Sequence, residues 1–382
     1  MGENGLKFYQ SLHNTTTTGG GGLIGADDVV LLKINCQWSQ RGGSNTDMLQ
    51  ELIQSIIDHP DGFTGEIIVA DNGQGRGSMD WVLCNAENQG QSAQEVVDDF
   101  SSHNVSTFLW DPIRRKNVQE FSEGDSDSGY VVYTEADLDT GILVSYPKFT
   151  TDYGTMVSFK HGIWNGTGYE PALKIINLPV LKSHSVYGVT ACMKNFMGVQ
   201  SQGVANGHDC VGTGGMGTLM ADYGLPTLNI VDAIWINANP APSSSNGPGT
   251  SYADATQINI LIAGQDPIAL DYWAAKNILL PVSKQIGWDA SDRVTLDPDQ
   301  SIKNGISEAF GVWLNLSRDE LLDANFKVTN DESQIGFYYR TDHETNLDVT
   351  PDSNISGYIW ASLGGALIMG VSILLITQKK RR

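Results

Sequence analysis

Three neighbouring stretches decide the fold: Asp28–Ile34 (DVVLLKI), Thr46–Ile57 (TDMLQELIQSII) and Glu66–Asp71 (EIIVAD). The first and third are short apolar runs rich in valine, isoleucine and leucine, the pattern of strands buried on both faces. Between them Met48, Leu49, Leu52, Ile53, Ile56 and Ile57 recur at the helical repeat, with Asn45 or Thr46 placed as the cap. Strand, helix and strand at this spacing make a crossover unit, which requires parallel strands whose carboxyl ends share one edge. Ligands in such sheets collect at that edge.

The alternation continues outward. A helix over Ala93–Phe100 and a strand over Val105–Trp110 follow; Tyr130–Val144 contains two short strand-like runs, and Pro147–Glu170 reads as an insertion rich in glycine and aromatic residues. Leu173–Leu178, Leu228–Ile236 (LNIVDAIWI) and Gln257–Ala263 (QINILIA) read as further strands. Asp266 then caps a helix with Pro267 at its first position, and helical segments over Pro298–Phe310 and Ser317–Asp323 complete the domain. The expected class is α/β: a mostly parallel, Rossmann-like layered sheet with helices on both faces, spanning residues 25–324. A flexible leader (1–24) precedes it. A polar stalk (325–354), a transmembrane helix (355–377) and a basic cytoplasmic tail (378–382) follow.

The transmembrane expectation rests on Tyr358–Ile376, which contains no charged residue, is long enough to cross a bilayer, and runs into Lys379, Lys380, Arg381 and Arg382. That polarity leaves the domain extracytoplasmic, and sequons at Asn14, Asn104, Asn165, Asn315 and Asn354 agree with exposure to a glycosylating compartment. Met1–Gly22 shows no apolar run of the secretory-signal type, so tail anchoring with a cytoplasmic domain stays open beside display at the cell membrane.

Among the 382 residues, 44 are acidic and 23 basic, a formal net charge of −21. This acidic balance excludes duplex nucleic acid as an expected partner, because phosphate binding needs a basic face. The four cysteines, Cys36, Cys84, Cys192 and Cys210, form no CxxC and no regular metal-ligand spacing, so no iron-sulfur motif is present and the cofactor is unknown. Their even number permits disulfides, with Cys192–Cys210 the first pair to test, or separate buried thiols. Gly212–Gly217 (GTGGMG) fits GxGxxG, but no strand runs into it, which argues against a dinucleotide site.

Against that acidic background, Lys174–Gly198 (KIINLPVLKSHSVYGVTACMKNFMG) concentrates donors after a strand: Lys182, His184, Lys194 and Asn195. Lys33 and Asn35 end another strand, and in a parallel sheet these ends converge. The expected site binds a small anionic ligand. His184, Lys182 and Lys194, with Asp232 and Asp271 orienting them, are the catalytic candidates. Lys33, Asn35, Asp71, Asn195 and Asp266 are the ligand-binding candidates. Asp71 opens a glycine-rich loop, Asp71–Gly77 (DNGQGRG), that misses GxGxxG and reads as a turn. No metal site is assigned; His184, His208 and Asp209 have suitable chemistry but no recognised ligand spacing. Three readings follow: an enzyme acting on a small anion, a surface-displayed binding or structural protein, and a divalent-metal binder. On the first, Lys182→Ala abolishes ligand binding and leaves the fold intact.

These motifs also carry a resemblance. VLLKIN (30–35), EIIVAD (66–71), LPVLKSH (178–184), KNFMG (194–198), LNIVDAIW (228–235) and IAGQDPIALD (262–271) resemble the domain-of-unknown-function 362 family of bacterial and archaeal proteins. The resemblance implies that Lys33, Asn35, Lys182, His184, Lys194, Asn195, Asp232, Asp266 and Asp271 belong to family motifs. Some members carry ferredoxin-like cysteine clusters, a feature absent from this chain. No established mechanism comes with the family.

Overall fold

The computed structural model describes residues 5–81, 90–201, 203–240, 249–300, 309–341, 344–347 and 372–378. The opening crossover unit is present as read: β1 (Val29–Lys33), α1 (Thr46–Ile57) and β2 (Glu66–Asp71), with β1 and β2 parallel. Asn45 caps α1 by accepting from the backbone N–H groups of Asp47 and Met48. The unit continues through α2 (Ala93–Asp98) to β3 (Val105–Leu109), parallel to β2. Alternate side chains of these strands enter two different cores. Val30, Leu32, Ile67 and Val69 pack with Met48, Leu49, Ile53 and Val96 of the two helices. Leu31, Ile68 and Ala70 face the opposite layer.

On the other side of β1 lie β4 (Leu173–Asn177) and then β7 (Leu228–Asn237), both in the parallel sense. Between them in the chain come β5 (Val180–His184), which pairs with β7, and its hairpin partner β6 (Gly188–Thr190). The strand order β3-β2-β1-β4-β7 therefore reverses between β1 and β4, where the chain leaves one face of the sheet and returns on the other. That opposite face is covered by α3 (Cys192–Asn195), α4 (Gly215–Tyr223), α5 (Pro267–Ala274) and α6 (Phe310–Asp323). A five-stranded antiparallel sheet between Gly129 and Glu170 packs there as well, so the glycine- and aromatic-rich insertion is a small layer of its own.

The structure corrects the expected architecture in several places. The large sheet is largely parallel, as expected, but β8 (Thr256–Gly264) runs antiparallel to β7; the loop joining them supplies no crossover helix among its described residues, and a parallel return needs one. The leader is not a free linker: Tyr9–Gln10 pairs with Thr18–Gly19, and Phe8 and Ile24 are buried. The expected stalk contributes β9 (Ile335–Thr341) and β10 (Glu344–Leu347) to the sheet. Helix α6 takes in Ser317–Asp323 as part of one longer element.

Of the expected transmembrane helix (355–377), residues 355–371 lie outside the described residues, while Ser372–Gln378 forms strand β11 between β8 and β9. No helix among the described residues is long and apolar enough to cross a membrane. A short run such as SILLITQ satisfies both readings, since periodicity cannot separate a buried strand from an apolar helix segment.

Candidate functional site

A cleft opens at the carboxyl ends of β1 and β2, beside the point where the strand order reverses, the usual position for ligands in sheets of this topology. It is small and open to solvent, and is lined chiefly by Lys33, Asn35, Asp71, Thr190, Lys194 and Asn195. Its floor is an ion pair between the last residues of two adjacent strands, Lys33 Nζ to Asp71 Oδ1 at 2.5 Å, fully buried. Lys33 Nζ also donates to Ile34 O (2.7 Å), and Asp71 Oδ2 accepts from Cys36 N (2.7 Å). Burial pushes the Asp71 carboxyl up, and Lys33 pulls it back. The chain after α3 closes over this pair at Gly198: a Cβ there would lie 2.3 Å from Asp71 Oδ1 and 2.8 Å from Lys33 Nζ, so only glycine fits. The amides of the glycine-rich loop are already engaged, since Gly73 N (2.6 Å) and Gly75 N both donate to the Asp111 carboxylate.

The opposite wall belongs to α3 and β6. Asn195 Nδ2 donates to Asn177 Oδ1 (2.8 Å), and Asn177 Nδ2 donates to Asn229 Oδ1 (2.9 Å), a line of amides fastening α3 to β4 and β7. Its neighbour Lys194 is treated differently. Only 7 % exposed, it has no hydrogen bond or ion pair to its ammonium among the described residues; its Nζ lies 5.4 Å from the Tyr187 ring centroid. Burial lowers its pKa from the ordinary 10.5 to about 7. Two further polar atoms lining residues of the cleft contribute, Asn35 Oδ1 and Thr190 Oγ1, are buried without a hydrogen-bond partner among the described residues.

His184 sits behind Lys194, and its Nδ1 accepts from Val186 N (3.0 Å) and Tyr187 N (3.2 Å), which places the ring proton on Nε2. Burial, reinforced by the charges of Lys194, His208 and Lys182, pushes its pKa far below the usual histidine range, so the ring is neutral. The His184 and His208 ring centroids are 6.3 Å apart. His208 and Asp209 are exposed, and no group of three His, Cys, Asp or Glu residues arranged to hold a metal occurs among the described residues.

His184 and four more of the expected site residues lie outside the cleft lining, the four in a buried polar scaffold. Lys182 Nζ donates to Gly42 O at 2.5 Å. Asp232 accepts from Ile234 N (3.0 Å) and Asn45 N (3.1 Å), and burial raises its pKa to about 6. Asp271 accepts from Cys192 N (2.7 Å) and Met193 N (3.0 Å) at the start of α3, with its pKa raised by burial to about 7. Asp266 caps α5 through Ile268 N and Ala269 N and also accepts from Thr329 N (2.9 Å). Cys36, Cys192 and Cys210 are buried free thiols, so the expected Cys192–Cys210 bridge is absent; Cys84 lies outside the described residues. A 3-10 turn over Val211–Thr213, not a strand, leads into α4 at GTGGMG.

Thr190 and Gly198 escaped the sequence reading. Gly198 closes the KNFMG motif, so its position was visible, but its contact with Asp71 was not. Thr190 becomes visible only once β5 and β6 are known to form a hairpin that sets it opposite Lys182.

Fold and cleft together define a doubly wound α/β protein with a polar pocket at its strand-order reversal. Residues 166–276 match the family model described as "Domain of unknown function (DUF362)", which supports the resemblance carried by the motifs between β4 and α5. No curated protein and no solved structure matches the chain.

Proposed function

We propose that the cleft binds a small anionic ligand, a carboxylate or phosphate, on Lys194, and that the protein is an enzyme acting on it. The observation carrying this reading is the unpaired ammonium of Lys194, facing a cleft in which Asn35 and Thr190 also hold unused hydrogen-bonding capacity. Leaving a buried cation and two buried polar atoms unsatisfied is costly. A ligand anion would lower that cost by accepting hydrogen bonds from Lys194 and the Thr190 hydroxyl, while Asn35 Oδ1, an acceptor, suits a hydroxyl or other donor on the same ligand. The Lys33–Asp71 pair holds the strand ends in place.

Isothermal titration of the full chain near pH 6.5 with inorganic phosphate and small carboxylates tests this. Binding by at least one anion is expected, weakened about tenfold or more in Lys194→Met, the value of a hydrogen bond to a charged group. Equal binding by Lys194→Met, or no binding by any anion, refutes it. Binding without turnover of any tested substrate would favour the alternative, a surface-displayed binding protein.

A membrane tether through residues 358–376, with the domain extracytoplasmic, is a separate part of this proposal. The uncharged run and the basic tail support it. It competes with β11, because residues 372–378 cannot pair with β8 and cross a bilayer at once. Alkaline extraction of membranes decides: retention of the full chain, with release of a chain ending at Asn354, supports the tether, and release of both removes it.

A further inference from the structure

Two lysines line one cleft, and they are held in opposite ways. Lys33 is pinned by Asp71 and by Ile34 O. Lys194 is carried on a four-residue helix whose first two N–H groups donate to the Asp271 carboxylate and whose residue after Lys194, Asn195, is tied to Asn177. Its backbone is therefore held, while its terminal nitrogen, near the Tyr187 ring at the cleft, has no hydrogen bond or ion pair among the described residues. Among the described residues the one carboxylate lining the cleft, Asp71, is already neutralised by Lys33. An amine in such a place serves chemistry better than charge neutralisation: it is positioned, desolvated and unoccupied.

We propose that Lys194 is a nucleophile that forms an imine with a 2-oxo acid, the ligand's carboxylate being the anion of the reading above and its adjacent carbonyl the reacting group. This rests on that reading and names its substrate class. Depression of the Lys194 pKa to about 7 leaves much of the amine unprotonated at neutral pH, as attack requires. The nitrogen lone pair forms a C–N bond to the carbonyl carbon, and the carbonyl oxygen takes a proton to give a carbinolamine. The C–O bond then breaks, water departs with that oxygen and both amine hydrogens, and the resulting imine nitrogen takes a proton from solvent. No oxidant or reductant is consumed. The Thr190 hydroxyl, which can donate, is placed to hold the carboxylate, and Asn35 Oδ1, which accepts, to hold the carbinolamine hydroxyl.

Reductive trapping tests the step. The full chain is incubated with pyruvate, glyoxylate or 2-oxoglutarate, treated with borohydride, digested and mapped by mass spectrometry. The expected product is a secondary amine on Lys194 whose added mass is that of the acid less one oxygen atom. Its rate of formation should level off just above pH 7, whereas adducts on exposed lysines keep increasing to about pH 10. Lys194→Arg should give no adduct at position 194 or elsewhere in the cleft. Phosphate binding without trapping by any of the three acids overturns the imine and leaves the anion site standing. Loss of both overturns the two readings together. Trapping at exposed lysines as readily as at Lys194 also overturns the imine.

Discussion

The cleft and the polar scaffold behind it are built from the same residue types and stand in opposite states. In the scaffold, Lys182 reaches Gly42 O, Asp232 holds Asn45 N and Ile234 N, Asp271 holds the start of α3, and Asp266 caps α5. In the cleft, Lys194, Asn35 and Thr190 are buried with polar atoms left over. A buried polar group that is fully bonded maintains a structure, and one that is not bonded waits for something to bind. The difference separates residues that a sequence motif presents as equals: Lys182 and Lys194 lie in one stretch, and only the second lines the cleft.

The strongest test of this comparison is Lys182→Ala. Removing a fully buried side chain leaves a cavity, orphans Gly42 O and takes a positive charge away from buried Asp232. We expect a stability loss of about 3 kcal/mol or more, read from urea unfolding, with anion affinity changed little below the lowered melting temperature. This reverses the expectation drawn from sequence. A variant of undiminished stability that fails to bind would make the scaffold, not the cleft, the site.

Gly198→Ala probes the seam between the two regions. The new methyl would collide with the Asp71 carboxylate and the Lys33 ammonium, so the chain over the cleft must shift or the ion pair must open. Overpacking of this kind should cost about 2–3 kcal/mol, and it should weaken anion binding as well because Lys194 lies on the same connection. Unchanged stability and binding would mean that the closure over Asp71 is not as tight as the geometry indicates.

How much of this was legible without coordinates follows from the range of each interaction. The crossover unit of β1, α1 and β2 was readable because its periodicity is local: two buried strands and a helix with a named cap. The site's position was readable too, since carboxyl ends in a parallel sheet must share an edge. What could not be read was partnership. Whether Asp271 faces a ligand or two backbone N–H groups depends on a contact across 79 positions of sequence, Cys192 N to Asp271 Oδ1. Whether β8 returns parallel or antiparallel depends on a loop whose composition says only that it is a loop. SILLITQ had no local feature to choose between strand and helix.

The finest distinction between the regions is electrostatic. Lys194 has its folded-state pKa lowered to about 7 from 10.5. Between those values the unfolded chain carries a proton at this residue that the folded chain has lost, so stability contributed by Lys194 rises with pH; below pH 7 both states are protonated and the contribution is flat. Asp271 has the opposite shift, raised to about 7 from 3.8, so its term falls as pH rises toward 7 and is flat above. Comparing wild type with Lys194→Met cancels the Asp271 term and isolates the lysine. The methionine variant should be the more stable protein below pH 7, and its advantage should shrink by about 2 kcal/mol between pH 7 and 9. Saturating phosphate should abolish that pH dependence, since a bound anion restores the ammonium and lifts its pKa back toward the ordinary value. A difference that stays constant across this range, with or without phosphate, would mean that Lys194 is already paired in solution, and the contrast between cleft and scaffold would lose its physical basis.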